Sequence, residues 1–152
     1  MGRSSRSIDR EIAMKILYAR ELGGQATPKD VLIMSDEKDN LRQKDIIFIE
    51  QIVSGVETGL DDLDETVSRY LVNWEIERIS VVDLIILRIA LFELKNVSNT
   101  PVNASINEAI ELAKGYGGDK SFAFINGILG SFVRSELSDN SPKKDIVQED
   151  LI

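Results

Sequence analysis

The stretch from Val102 to Ser131, VNASINEAIELAKGYGGDKSFAFINGILGS, predicts two helices joined by a tight turn. In its first half, apolar residues recur at three- and four-residue steps, the spacing of one helix face: Ile106, Ala109, Ile110 and Ala113. Glycines at 115, 117 and 118 end this helix, and Asp119 is expected to cap the next one. The second half repeats the same spacing with Phe122, Ile125, Leu129, Phe132 and Val133. The stretch is therefore expected to form a helical hairpin.

The segment before this hairpin, WEIERISVVDLIILRIALFEL from Trp74 to Leu94, predicts the central helix of the fold. Ser80, followed three residues later by Asp83, is a helix-start signal, because the serine hydroxyl can accept a backbone N–H of the first turn. The helix that begins there is expected to run to about Lys95. It is apolar on most sides, which is typical of a helix buried by several neighbours.

The N-terminal half also follows helical periodicity. A first helix is expected from Ser7 to Leu22, with Ile8, Ile12 and Ile16 on one face and Gly23-Gly24 as its end. Thr27-Pro28 predicts the start of a short helix, and the polar segment 35–40 a loop. A longer helix follows from about Ile46, with a kink or break near Gly59, and its pattern continues to Trp74.

These patterns together predict an all-α fold, a compact globule of six to seven helices. The length of 152 residues suits one domain. We place it at residues 1–136, and we expect residues 137–152 to form a flexible acidic tail because they lose helical periodicity. No run is long and apolar enough to span a membrane, and no secretory signal is present, so a cytoplasmic location is expected.

Composition excludes much catalytic chemistry. The chain has no cysteine and no histidine, which removes disulfides, thiol nucleophiles, Ser-His-Asp triads and zinc sites built on imidazole or thiolate. No acidic residues follow a calcium-loop spacing. We therefore expect no cofactor, no metal site and no enzymatic activity.

The net charge of −8 is unevenly distributed. Residues 1–20 carry a balance of +3, and the remaining residues carry −11. A basic end on an acidic body favours a confined anion-binding surface over indiscriminate binding to nucleic acid. A solvated terminus with no binding role is the alternative.

The two C-terminal segments, together with the first helix and its Leu17-Tyr18 pair, resemble the bacterial NusB family in the same order and spacing. The resemblance covers roughly residues 6 to 134 and implies two packed helical subbundles. It also implies a transcription antitermination factor that binds single-stranded boxA-like RNA of nascent ribosomal transcripts. Its implied partners are the small-subunit ribosomal protein NusE and the antitermination complex on RNA polymerase. The sequence leaves open whether the chain forms a homodimer.

Candidate RNA-binding residues lie in two places. Arg3, Arg6 and Arg10 fall within an arc of about 60° on the first helix, away from its isoleucines, and guanidinium groups suit phosphate oxygens. The resemblance places RNA-binding arginines on this helix and Tyr18 on the RNA surface, where its ring would stack on a base. The second place is the turn before the last helix, with Lys120 for phosphate and the aromatic pair Phe122 and Phe124. Two residues apart on a helix, these rings cannot both face the core, so one of them is a candidate for stacking.

Candidate partner-binding residues are Glu77, Asp83 and Arg88, because the resemblance implies that NusE binds around this segment. Acidic groups would suit a basic ribosomal protein. Asn107 and Asn126 are expected to hydrogen-bond across the seam between the last two helices. Two alternative functions remain: a NusB-like module of a ribosomal RNA methyltransferase, and a helical bundle that binds only proteins.

Overall fold

The structure is a computed structural model that describes residues 4–25, 41–97 and 99–137. Over these ranges the chain forms six α-helices and one short 3₁₀ helix. The helices are α1 (Ser5–Glu21), α2 (Gln43–Thr58), α3 (Leu60–Arg69), the 3₁₀ helix (Ile76–Arg78), α4 (Val81–Asn96), α5 (Val102–Tyr116) and α6 (Ser121–Glu136). The predicted all-α class is confirmed.

Helix α4 forms the centre of the molecule. It is buried almost continuously from Ile85 to Leu94, as its apolar sequence predicted, and it packs against α1, α2, α3, α5 and α6. Helices α1 and α2 pack on each other on one side of it, and α5 and α6 pack on each other on the other side. This arrangement matches the two packed subbundles that the family resemblance implied. None of the described helices has the length and apolar character needed to cross a membrane.

Several helix boundaries agree with the sequence signals. The Ser80 hydroxyl accepts the backbone N–H of Asp83 at 3.2 Å and so caps α4. The predicted break near Gly59 is confirmed, because α2 ends at Thr58 and α3 begins at Leu60.

Two boundary predictions are wrong. The helix after Gly59 ends at Arg69 and does not continue to Trp74; the chain turns at Asn73, whose φ of 62° is a left-handed conformation that asparagine tolerates. Asp119 does not cap α6. Instead, the Ser121 hydroxyl accepts the N–H of Gly118 at 2.9 Å, which closes the turn from inside the helix.

The predictions for Arg3, the short helix after Thr27, the loop at 35–40 and the tail beyond Leu137 lie outside the described residues.

A buried ion pair joins α1 to the central helix. Arg10 donates from Nε and Nη2 to the two carboxylate oxygens of Glu93, at 2.8 and 2.7 Å, and its Nη1 lies 3.7 Å from Glu108 Oε1 on α5. Both Arg10 and Glu93 are buried. Burial opposes the charge on Arg10, but the hydrogen bonds and charge of Glu93 and the charge of Glu108 outweigh it and raise the pKa of Arg10. One guanidinium group therefore connects three helices.

A second buried polar contact joins α1 to α2. The carboxyl groups of Asp9 and Asp45 are both buried and lie close enough to influence each other's protonation. Burial, together with the hydrogen bond and charge of Asp45, raises the pKa of Asp9 to about 7. The pKa of Asp45 is lowered despite its burial, because its carboxylate accepts the backbone N–H of Arg42 at 2.9 Å. Asp9 is therefore the partner that keeps the proton.

The Arg10–Glu93 pair generates a stability prediction. Arg10→Ala or Glu93→Ala alone should each lower the free energy of unfolding by about 3–5 kcal/mol, because each leaves a buried charge without its partner. The double variant Arg10→Met, Glu93→Leu removes both charges and should cost much less than the sum of the single changes. Urea unfolding followed by circular dichroism measures all three. The control is the exposed pair Arg20–Glu57, where Arg20→Ala should lower the free energy of unfolding by about 1 kcal/mol or less. Additive losses at Arg10 and Glu93 would contradict the prediction.

The Asp9–Asp45 contact generates a pH prediction. Between about pH 4 and pH 7 the folded chain retains a proton on Asp9 that the unfolded chain has released, so this contact stabilises less as pH rises through that range. Asp9→Asn keeps a neutral donor toward Asp45. It should therefore gain stability relative to the natural chain from pH 4.5 to pH 8, by about 1 kcal/mol or more. Urea midpoints at both pH values measure this gain. The exposed Asp61→Asn variant is the control, and an equal gain in both variants would refute the assignment.

Candidate nucleic-acid interface

Helix α1 exposes one narrow strip beside its extensively buried faces. Its buried residues include Ile12, Ile16 and Leu17, whereas Lys15 and Tyr18 are exposed. Lys15 and Tyr18 are three residues apart and therefore neighbours on the outward side of the helix. The position of Tyr18 agrees with the role predicted for it, because its ring is accessible to a ligand.

Tyr116 lies beside this strip, at the C-terminal end of α5. Its hydroxyl donates a hydrogen bond to Glu11 Oε2 on α1, and Lys15 Nζ lies 5.8 Å from the centre of its ring. Lys15 also pairs with Glu11 at 3.3 Å. These contacts bring the end of α5 against the exposed strip of α1.

Phe122 continues the surface on the first turn of α6. Lys114 Nζ lies 5.9 Å from the centre of its ring, and Lys120 is exposed just before it. The residues Tyr18, Tyr116 and Phe122 are exposed to 39%, 42% and 46% respectively. Phe124, in contrast, is partly buried against the core. The prediction that the two rings cannot both face the core is confirmed, and the exposed ring is that of Phe122.

The glycine turn sets the position of Phe122 relative to Tyr116. A Cβ atom on Gly117 would lie 2.6 Å from Ser121 Cβ and 2.8 Å from the Ala113 carbonyl oxygen, so only glycine permits this close approach. The N–H of Gly117 donates to Ala113 O and that of Gly118 to Ser121 Oγ. Backbone amides at the start of a helix can hold a phosphate, but these two are used within the turn.

We call the exposed set Lys15, Tyr18, Lys114, Tyr116, Lys120 and Phe122 the aromatic–lysine surface. Its rings offer stacking faces to unpaired bases, and its ammonium groups offer charges to phosphates, which is the combination that single-stranded nucleic acid requires. The sequence did not identify Lys15, Lys114 or Tyr116 as site residues. The position of Tyr116 at a helix end, just before a glycine turn, could have indicated that it is exposed. Its contact with Glu11 could not be read from the sequence, because the two residues are 105 positions apart.

The arginine prediction needs correction. Arg10 was expected to bind phosphate, but its guanidinium group is buried against Glu93 and does not reach the surface. Arg6 is half-buried; its guanidinium group stacks 3.9 Å from the centre of the Phe48 ring and lies 3.5 Å from Asp9. It is also about 18 Å of helix rise away from Tyr18. The basic row of α1 is therefore not a continuous phosphate-binding strip.

The partner-binding residues are also only partly accessible. Glu77 is exposed on the 3₁₀ helix, as a binding role requires. Arg88 is buried, donating from Nε and Nη2 to Asp64 at 2.8 Å and from Nη1 to Glu21 at 3.1 Å. Asp83 is buried in the first turn of α4. Arg88 and Asp83 are therefore enclosed by their own chain and are not accessible to a partner in this structure.

Exposed apolar side chains lie next to Glu77 in the link between α3 and the 3₁₀ helix. Val72 and Trp74 are exposed to 75% and 56%. Neighbouring exposed apolar side chains mark interaction sites more often than apolar side chains that are scattered singly over a surface. Asn107 and Asn126 are both exposed, so the prediction that they join the last two helices in a buried seam is wrong.

Comparison with known proteins gives one consistent result. The model of the NusB family matches residues 7–134. The transcription antitermination protein NusB of Clostridium botulinum (strain Kyoto / Type A2) is 40% identical over 142 residues, covering 85% of this chain and 99% of that protein.

Solved structures agree. NusB of T. maritima superposes with a TM-score of 0.76 at 30% identity, covering 89% of this chain and 94% of that one. A chain from the complex of antitermination factors NusB and NusE with dsRNA superposes with a TM-score of 0.70 at 22% identity, covering 86% and 97%, and so shares the fold. The chain belongs to the NusB family.

Proposed function

We propose that this protein is a transcription antitermination factor that binds RNA through the aromatic–lysine surface and acts together with NusE. The observation that carries this proposal is the cluster of exposed rings and lysines on a molecule with a net charge of −8. Its relatives support it, since they are antitermination proteins, and one protein of the same fold is complexed with NusE and dsRNA. The chain matches 99% of its Clostridium relative, which favours this function over that of a methyltransferase module.

The RNA would be single-stranded and boxA-like, in nascent ribosomal transcripts. Tyr18 and Phe122 would each stack on a base, an interaction worth about 1–3 kcal/mol per base. Lys15, Lys114 and Lys120 would lie near phosphates, and Arg6, with Arg3, would extend the positive charge at the start of α1. The acidic remainder of the protein repels bulk nucleic acid, so useful affinity would require NusE as a second contact.

The action we propose is assembly and not catalysis. The chain would hold the RNA and NusE together and so nucleate an antitermination complex on RNA polymerase. Its own chemistry is limited to stacking, ion pairing and hydrogen bonding, in keeping with a sequence that has neither histidine nor cysteine.

The aromatic–lysine surface generates a binding prediction. In the presence of NusE, Tyr18→Ala or Phe122→Ala should weaken binding of a labelled boxA-like oligonucleotide about 5- to 100-fold. The double variant Lys15→Gln, Lys114→Gln should reduce the slope of log affinity against log salt by about 0.7 for each phosphate that the protein no longer neutralises. Fluorescence anisotropy over a salt series measures both effects.

The matched control is Lys44→Gln, which changes an exposed lysine on α2 outside this surface. It should leave both affinity and salt slope unchanged. If the two aromatic variants and the double lysine variant all bind RNA like the natural chain, RNA does not bind at the aromatic–lysine surface.

For NusE we propose a second surface, formed by Val72, Trp74 and Glu77, which we call the partner surface. Two exposed apolar side chains would be covered in the complex, and Glu77 would attract a basic ribosomal protein. Trp74 is the residue from which we expect the largest contribution, because tryptophan is enriched among residues that dominate interface energies.

Trp74→Ala should therefore weaken NusE binding at least 10-fold in isothermal titration calorimetry, roughly the effect of truncating a dominant interface residue. Glu77→Lys should weaken it more at low salt than at high salt, because exposed charges are screened. The control is Leu22→Ala, which removes an exposed apolar side chain at the end of α1 and should have no effect. Unaltered binding of Trp74→Ala, with the fold intact by circular dichroism, would exclude this surface.

A further inference from the structure

Glu11 is an acidic side chain within a surface that otherwise carries lysines and aromatic rings. Its carboxylate accepts the hydroxyl of Tyr116 and pairs with Lys15 at 3.3 Å. A carboxylate at this position repels phosphate, so it weakens general attraction for nucleic acid. Its contacts indicate what it contributes instead, since both of its partners belong to the aromatic–lysine surface.

These contacts fix the ring of Tyr116 while leaving it accessible. The hydroxyl is held by Glu11 and the ring lies under Lys15 Nζ, yet 42% of the residue remains exposed. Burial together with the hydrogen bond and charge of Glu11 raises the pKa of Tyr116. The hydroxyl therefore remains a donor at neutral pH and the tie to Glu11 persists.

We infer that Tyr116 is a further base-stacking residue of the RNA site, positioned by Glu11 and Lys15. This inference rests on the proposed RNA-binding function. Lys15 lies on one side of the ring, so a base would stack on the other. Lys15 would then contribute twice, holding the ring and neutralising a phosphate. An aromatic ring fixed before binding loses little conformational freedom when a base stacks on it.

The same contacts have a purely structural explanation, in which the hydroxyl of Tyr116 only ties α5 to α1. The chain contains a matched case of such a tie. The hydroxyl of Tyr70 donates to Glu136 on α6, but the Tyr70 ring packs against Phe132, 6.4 Å between ring centres, and is not part of the aromatic–lysine surface. Comparing variants of Tyr70 and Tyr116 therefore distinguishes a ring that stacks on RNA from a hydroxyl that only ties two helices together.

The test compares three variants in the presence of NusE, with a boxA-like oligonucleotide that carries 2-aminopurine at each position in turn. Tyr116→Leu should weaken RNA binding about 5- to 100-fold and abolish the fluorescence change of one 2-aminopurine position. Tyr116→Phe keeps the ring and should bind RNA within a few-fold of the natural chain. Tyr70→Leu should lower the thermal midpoint yet leave RNA binding unchanged.

Each outcome decides the inference. If Tyr116→Leu lowers the thermal midpoint but binds RNA like the natural chain, Tyr116 is only a tie between helices, and the proposed function stands without it. If Tyr116→Phe loses as much affinity as Tyr116→Leu, the ring alone contributes no affinity, which overturns stacking by the ring as the source of binding. If the natural chain with NusE does not bind the oligonucleotide, the proposed function and the inference fail together.

Discussion

The buried pair between Arg10 and Glu93 is the constraint on which the rest of the structure depends. A guanidinium group enclosed by protein is tolerated only where a carboxylate meets it with good geometry, and here two hydrogen bonds of 2.7 and 2.8 Å do so. Because Arg10 must point at Glu93, the rotation of α1 about its own axis is fixed. Lys15 then lies about 140° around the helix from Arg10 and faces outward. The orientation of the exposed strip that carries Lys15 and Tyr18 is thus set by a contact inside the core.

Contact between Arg10 and Glu108 carries the same constraint to α5. Glu108 lies about two turns before Tyr116 on that helix, so its approach to Arg10 fixes which side of α5 meets α1. Tyr116 is thereby placed against Glu11 at the far end of the same interface. The aromatic–lysine surface is built across α1, α5 and α6, and its geometry follows from how these helices are joined to the centre.

Local sequence signals predicted the helices but not the long-range pairs. Periodicity located α1 and α4, and Ser80 and Gly59 marked boundaries that the structure confirms, because caps and helix breaks act within a few residues. Arg10 was misassigned for a physical reason. A helical wheel places Arg10 opposite the isoleucines. That position implies exposure to solvent only if the helix buries a single face. Helix α1 instead packs against both α2 and α4, and the carboxylate that neutralises Arg10 is 83 residues away.

Exposed aromatic rings are unfavourable on a free protein unless something contacts them, and this surface provides cations. Lys15 lies near Tyr116 and Lys114 near Phe122, at distances where a cation–π attraction contributes about 0.5–1 kcal/mol in exposed sites. The same pairing suits the proposed RNA contact, because each of these two rings already has an ammonium group beside it that could meet a phosphate. In the proposed complex little rearrangement is then required, and base stacking supplies an attraction that a net charge of −8 does not.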